Sequence, residues 1–226
     1  MRGASSENTT KTTTTVISHF AMIDFYTWST PNGRKVSIML EECALPYRVH
    51  KINIGTNSEQ FTPEYLKVNP NGKIPGIVDP DGPGGKPIAM MESGAILIYL
   101  ADKTGKFFSQ KYKYEVLQWL MFQMGGVGPM FGQAHHFMRA KKDEIPYGSE
   151  RYGSEAKRLY GVMDVHLGKK DHFAGEYSIA DMAIYPWVAR HEWHRVDLAQ
   201  FANVKRWYDR VGARPAVVKG MAVPAV

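Results

Sequence analysis

The sequence has very little cysteine and no long apolar run. Cys43 is the only cysteine among 226 residues, which excludes an internal disulfide framework and fits a reducing compartment. We therefore expect a cytoplasmic protein. No stretch approaches the roughly 18 consecutive apolar residues that a membrane span requires, so we expect no membrane partner.

The chain also lacks a concentrated basic segment, although its formal net charge is +6. Charges of both signs are interspersed, as in the segment Lys141, Lys142, Asp143 and Glu144. Aromatic residues are not placed among basic ones in the way that single-strand binders require. We therefore expect no nucleic-acid partner, and a small anionic ligand fits the charge better.

The pattern of apolar residues divides the chain into three parts. Residues 1–21 are rich in Ser and Thr and predict a disordered leader without the features of a signal or transit peptide. Residues 22–106 alternate short strand-like and longer helix-like segments in the order βαβαββα. Residues 111–226 contain helical patterns without a strand-like run. The predicted fold class is therefore α/β plus all-α, with an α/β domain followed by an all-helical domain.

The first long helical pattern of the second domain contains the string GGVGPM, from Gly125 to Met130. Within a helix, glycine costs roughly 1 kcal/mol and proline roughly 3 kcal/mol relative to alanine. We expect this cost to be offset where the two domains meet, and we expect a kink in the helix there.

The turn STPNG, from Ser29 to Gly33, joins the first predicted strand to the first predicted helix. Enzymes often carry a nucleophilic Cys or Ser at such a junction, yet Cys43 lies well down the following helix. Thr30 before Pro31 is a good pair for capping a helix N-terminus. Thr30 could therefore serve only as a cap, or its hydroxyl could face a ligand.

Two further segments carry candidate binding groups. Pro75 directly precedes a predicted strand, so a cis Ile74–Pro75 bond that exposes the Ile74 backbone to an extended peptide competes with an ordinary trans turn. Glu92 and Ser93 open the last helix of the first domain. Helix N-termini bind carboxylates and Glu92 could pair with an ammonium group, although Ser93 could also be a simple cap.

Several other polar motifs favour structural roles. Ser178 and Asp181 have the spacing of a capping box. His191 and His194 are three residues apart, whereas the helical zinc-protease motif needs histidines four apart. His135 and His136 are adjacent and cannot easily share a metal, so we expect no metal site. One of these two histidines could still line a cleft.

Taken together, these features resemble the glutathione transferases, and within them the Nu class. The matching strings are STPNGRKVSIMLEE, INIGTNSEQFTPEYLKVNPNGKIPGIVD, ESGAILIYLADKTGK, GGVGPMFGQAHHF and GEYSIADMAIYPWV. Each motif is weak alone, but their order and spacing are specific. The resemblance implies a thioredoxin-like first domain, an all-helical second domain, a homodimer and glutathione as co-substrate.

The resemblance also implies roles for individual residues. Thr30 and Asn32 would face the sulfur of glutathione. The tripeptide itself would be held by Gln60, Lys73, Ile74 before a cis Pro75, Glu92 and Ser93. Residues of the helical domain would reach a second glutathione, or the other half of glutathione disulfide: Gln133, His136 and Arg151.

This assignment predicts a glutathione-dependent disulfide-bond oxidoreductase with possible peroxidase activity. Lowering a thiol pKa by two units requires about 2.7 kcal/mol, which a charge-assisted hydrogen bond of roughly 1.5 to 3 kcal/mol could largely supply. An alternative function keeps the glutathione site but removes glutathione from aromatic thioether adducts. Trp28 and Phe131 could then line the mouth of the cleft. A second alternative is a non-catalytic glutathione-binding regulator.

Overall fold

A computed structural model describes residues 20–141 and 143–225. The predicted leader, residues 1–21, therefore lies almost wholly outside the described residues. Within them, no helix combines the length and the apolarity needed to cross a membrane.

The first half of the structure is built around a four-stranded mixed sheet. Its strands are β1 (Ile23–Thr27), β2 (Tyr47–Lys51), β3 (Gly76–Asp79) and β4 (Ile88–Met91). The spatial order is β2-β1-β3-β4, in which β1 and β2 are parallel and the other two pairs are antiparallel. Ile23, Phe25 and Ile77 are fully buried, so the apolar members of the central strands form one side of the core.

Three helices connect these strands. They are α1 (Pro31–Cys43), the short α2 (Pro63–Leu66) and α3 (Ser93–Thr104). The predicted order βαβαββα is thereby confirmed. The apolar pattern predicts a second strand from Tyr47 to Ile54, but the strand ends at Lys51.

The second half is helical. Its α-helices are α4 (Lys113–Phe122), α5 (Gly128–His135), α6 (Pro146–Leu167), α7 (Ile179–Val188), α8 (Ala202–Gly212) and α9 (Pro215–Met221). The glycine-rich string forms a π-helical turn, Gln123–Val127, between α4 and α5. Such turns occur frequently at functional sites. Met124 from this turn packs beside Gly94 of α3, so the irregularity lies at the junction of the two halves, as predicted.

The core is continuous across both halves. Asp181 completes the predicted capping box at the start of α7 and also accepts a hydrogen bond of 2.8 Å from the Trp207 indole. The apolar pattern predicts a helix from Ile179 to about His194, but α7 ends at Val188 and a separate 3-10 turn, His191–His194, follows.

Helix α9 was not predicted, and it packs against α1 of the first half. The Ser37 hydroxyl donates a 2.7 Å hydrogen bond to the Gly220 carbonyl. A side chain on Gly220 would lie 2.6 Å from the Ile38 backbone, so only glycine permits this approach. The end of the chain therefore holds α1, which carries the predicted site, against the helical half.

Candidate active site

Thr30 is the residue that caps α1. Its hydroxyl oxygen accepts a hydrogen bond of 3.3 Å from the Gly33 backbone N–H. A hydroxyl has one donor and two acceptor positions, so capping leaves its O–H free to donate. The capping role and the ligand-facing role are therefore compatible, and Thr30 lines a cavity between the two halves.

Asn32 is oriented by a tryptophan from the helical half. Its Oδ1 accepts a 3.1 Å hydrogen bond from the Trp187 indole. Since an indole N–H can only donate, the bond fixes which end of the amide is oxygen and leaves the Asn32 NH₂ group free. The N-terminus of α1 therefore presents a hydroxyl and an amide as hydrogen-bond donors, the arrangement that stabilises an anion.

Lys35 lies one turn further along α1 and is buried between the two halves. Its ammonium group donates to the Ser93 hydroxyl at 3.2 Å and to Gln123 Oε1 at 2.7 Å. Burial lowers the pKa of Lys35 to about 7, against which the charge of Glu92 acts in the opposite direction. A buried amine that is partly charged near neutrality therefore lies directly behind Ser93.

Ile74 and Pro75 adopt the cis arrangement, one of the two that the sequence allows. The bond between them is cis, and Ile74 lies just outside the ladder that begins at Gly76. Gln60 is buried on the same wall, with no hydrogen-bond partner for its Oε1 among the described residues. Lys73 is exposed beside them. These four residues form one side of the cleft.

Glu92 and Ser93 lie at the start of α3, but their local roles differ from the prediction. Glu92, not Ser93, occupies the N-cap position, and its side chain makes no capping hydrogen bond. Its φ of 66° lies in the left-handed region that non-glycine residues rarely adopt, and such strain is concentrated at functional sites. Ser93 is 4 % exposed. Its hydroxyl accepts from Lys35 and donates to the Met124 sulfur at 3.8 Å, a weak acceptor that a carboxylate would replace.

Two neighbouring cavities separate the halves. The first, here called the Trp193 cavity, measures about 500 Å³ and is lined on one side by Thr30, Gln60 and Ile74 and on the other by helical residues, Trp193 among them. The second, the Glu92 cavity, measures about 810 Å³ and is lined by Glu92, Lys35 and helical residues. Asn32, Lys73 and Trp187 line both cavities, so the Asn32 amide lies where they meet.

The helical half contributes both histidines of the adjacent pair. His135 lines the Trp193 cavity, whereas Gln133 and His136 line the Glu92 cavity. Arg151 is not brought to either of them: it is exposed on α6 and lines a separate surface cavity with Tyr147 and Glu155.

The prediction that Trp28 and Phe131 line the mouth of the cleft was wrong. Phe131 is fully buried and stacks on Tyr160 with ring centroids 4.8 Å apart, so it belongs to the core. Trp28 is half-buried and lines neither cavity. The aromatic side chains of the cleft are instead Trp187 and Trp193.

Cys43 lies at the far end of α1. It is buried, and its sulfur lies 3.5 Å from the Thr104 hydroxyl, away from the residues that line the cleft. Burial raises the pKa of its thiol, which disfavours the reactive thiolate. The cysteine of this chain is therefore unsuited to act as the nucleophile.

The described residues contain no group of three or more His, Cys, Asp or Glu side chains that could hold a metal ion. The two histidines of the HEWH segment have partners within the protein. His191 Nδ1 lies 2.8 Å from the Val196 carbonyl oxygen, and His194 Nδ1 lies 3.4 Å from the Tyr160 hydroxyl. Burial lowers the pKa of His194 to about 3, so this ring is neutral near pH 7.

Sequence reasoning missed four residues of the cleft: Lys35, Trp187, Arg190 and Trp193. Lysine is almost never fully buried without a partner, and the chain gives no local sign that Lys35 is an exception. The helical pattern after Ile179 predicts a core position for Trp187; its bond to Asn32 could not be foreseen, because it spans 155 residues of sequence. Arg190 and Trp193 lie just beyond α7, where a continuing helix was expected.

The chain matches known families over nearly all of its described length. Residues 30–103 match the model of the glutathione S-transferase N-terminal domain, and residues 114–215 match that of the C-terminal domain. The protein named disulfide-bond oxidoreductase YfcG of Escherichia coli (strain K12) is 49% identical over 199 residues, which are 86% of this chain and 92% of that protein.

Two solved structures are similar in fold and in sequence. A glutathione transferase from Pseudomonas putida, with one glutathione disulfide bound per subunit, has a TM-score of 0.86 and 48% identity and covers 90% of this chain and 92% of its own. One from Burkholderia graminis, with two glutathione molecules bound per subunit, has a TM-score of 0.84 and 46% identity and covers 90% and 89%. With both domain models and the fold in agreement, the chain belongs to the glutathione S-transferase family.

Proposed function

We propose that this protein is a glutathione-dependent disulfide-bond oxidoreductase of the Nu class. The observation that carries the proposal is the pair of free donors, the Thr30 hydroxyl and the Asn32 amide, at the end of a helix in a cleft without a cysteine. The name of the Escherichia coli relative and the glutathione disulfide in the Pseudomonas putida structure support the same reaction.

In this proposal the nucleophile is the thiolate of bound glutathione. Glu92 and Ser93 hold the γ-glutamyl end, Ile74 pairs with the cysteinyl backbone, and Gln60 and Lys73 bind the remaining polar groups. Thr30 and Asn32 then donate to the sulfur. The positive end of α1 adds up to about 1 kcal/mol of stabilisation to the thiolate, so that its pKa falls toward neutrality.

The reaction proceeds by two thiol–disulfide exchanges. The bound thiolate attacks one sulfur of a substrate disulfide, forming a mixed disulfide and expelling the other sulfur as a thiolate. A second glutathione thiolate attacks the glutathionyl sulfur, which yields glutathione disulfide and the second substrate thiolate. Gln133 and His136, which line the Glu92 cavity, are placed to receive the second glutathione. The two glutathione molecules bound per subunit in the Burkholderia graminis structure support this arrangement.

The same sulfur would reduce a peroxide, with two glutathione molecules supplying both electrons and both protons. A second candidate function, removal of glutathione from aromatic thioether adducts, is favoured by the indole rings of Trp187 and Trp193 in the cleft. It uses the same bound thiolate, which attacks the adduct sulfur; the carbon–sulfur bond breaks, glutathione disulfide forms, and the released carbon takes up a proton.

The test is turnover of hydroxyethyl disulfide with glutathione, measured by coupling glutathione disulfide formation to NADPH oxidation through glutathione reductase. We expect saturable reduction that requires the protein. Tight glutathione binding without turnover would contradict the proposal and favour the non-catalytic regulator. Formation of glutathione disulfide and the glutathione-free aromatic product from an aromatic glutathione thioether, in the absence of hydroxyethyl disulfide reduction, would favour the second candidate function.

We further propose that the protein is a cytoplasmic homodimer. The family assignment supports the dimer, and a single, buried cysteine supports a reducing compartment. Sedimentation equilibrium of the full chain tests the dimer, and fractionation of the native host tests the compartment.

A further inference from the structure

The helical wall of the Trp193 cavity carries a cluster of basic side chains that disulfide exchange at Thr30 does not use. Arg190 and Arg139 each place the guanidinium carbon 3.7 Å from the centre of the Trp193 ring. His135 packs on the same indole, with ring centroids 4.4 Å apart. Arg190, Trp193 and His135 all line the cavity that contains Thr30.

This cluster forms no ion pair with the described part of the chain. Among the described residues, no carboxylate oxygen lies within 4.0 Å of Arg34, Arg139 or Arg190. Arg158 and Arg210, by contrast, each pair with a carboxylate. The positive groups of this wall are therefore arranged without a counter-ion from the described chain.

Within this cluster, Arg190 carries a buried donor without a partner in the part of the chain that the structure describes. Its Nε is buried without a hydrogen-bond partner among the described residues. Burial lowers the pKa of Arg190 to about 10, and the positive charges of Arg34 and Arg139 act in the same direction. A buried, unpaired donor of this kind is costly, and an anion bound in the cavity would offset the cost.

The indole of Trp193 holds Arg190 in place. Two guanidinium groups cannot share one face of a ring at this distance, so Arg139 and Arg190 cover opposite faces of the indole. The guanidinium of Arg190 is thereby fixed in the cavity wall, where an anion could pair with it. Thr30 lies on the opposite wall of the same cavity, where a reacting sulfur would lie.

We propose that the Trp193 cavity selects substrates in which the group joined to the glutathione sulfur is anionic, with the anion paired with Arg190. The inference rests on the proposed function and names the substrate class of its site. It does not change the chemistry: two glutathione molecules still reduce one disulfide, and the anionic group leaves as a thiolate.

The test compares two inert ligands, S-(4-carboxybenzyl)glutathione and S-(4-carbamoylbenzyl)glutathione, which differ only in an anionic or neutral group on the ring. Their dissociation constants are measured by isothermal titration calorimetry on the full chain. We expect the carboxylate to bind about tenfold more tightly, the gain of one charge-assisted hydrogen bond. A preference below threefold would overturn the inference.

Three variants locate the source of the preference. Arg190→Gln should reduce the ratio of the two dissociation constants to about one. Arg139→Gln should reduce the ratio by about twofold, and because Arg139 is exposed this change should not impair folding. Arg158→Gln removes the same charge far from the cavity and should keep the full preference. An equal loss in Arg158→Gln would assign the effect to net charge and contradict a specific pocket.

A further outcome separates the two possible anions. If Arg190 holds a carboxylate of glutathione itself, Arg190→Gln will weaken both ligands equally, and the inference fails. Turnover is measured in parallel with bis(4-carboxybenzyl) disulfide and its dicarboxamide. Preference without turnover would leave the pocket standing and refute the proposed function, whereas turnover without preference would refute only the pocket.

Discussion

Replacing Thr30 by alanine separates the two roles that the structure assigns to one hydroxyl. As a cap, Thr30 accepts from Gly33 at 3.3 Å, a long bond, so its loss should cost about 1 kcal/mol of unfolding free energy. As a donor to a bound thiolate, it would contribute roughly 1.5 to 3 kcal/mol. Thr30→Ala should therefore lower kcat/KM about 10- to 100-fold and raise the pKa of bound glutathione by about one to two units.

The assay is the pH profile of hydroxyethyl disulfide reduction, together with the ultraviolet absorbance of the thiolate in the binary complex. Unfolding in urea gives the stability change independently. Thr30→Ser retains the hydroxyl and should keep both the pH profile and most of the stability. If Thr30→Ala loses about 1 kcal/mol of stability but keeps its pH profile and its kcat/KM within twofold, Thr30 is only a cap and the reasoning fails.

Three other changes test neighbouring residues. Trp187→Phe removes the donor to Asn32 Oδ1 and should lower kcat/KM about tenfold; unchanged kinetics would show that Asn32 needs no such orientation. For Lys35, folding lowers the pKa from 10.5 to about 7, so the neutral amine is favoured in the folded state and stability should rise with pH between those values. The slope approaches about 1.4 kcal/mol per pH unit, and Lys35→Met should abolish it in urea unfolding; parallel curves would exclude the effect. Cys43→Ala should leave the rate of disulfide reduction within twofold. A large loss would show that Cys43, rather than bound glutathione, is the nucleophile.

Local signals in the sequence were sufficient for several features. Pro31 after Thr30 has a fixed backbone angle that suits a helix start, and α1 begins there. The Ser178 and Asp181 pair specifies a cap within four residues. These predictions succeeded because the determining interactions lie within one turn of helix.

The unpredicted features depend on contacts between distant parts of the chain. Lys35 meets Gln123 across 88 residues, and no local property of either residue indicates the pairing. Ser93 could be a cap of α3 or a ligand contact by sequence alone; in the structure Lys35 engages its hydroxyl, and the cap position falls on Glu92. Arg190 became part of the cleft because α7 ends early, a boundary that periodicity does not define well.

The position of Cys43 has a consequence for oxidative conditions. A catalytic cysteine that meets peroxide can proceed beyond the sulfenic acid to forms that are not readily reduced, and the enzyme is then lost. Here the chain's one thiol is buried beside Thr104, while the proposed reacting thiol belongs to a diffusible tripeptide. An overoxidised glutathione would simply dissociate and be exchanged, so the catalyst would survive the damage to its own nucleophile.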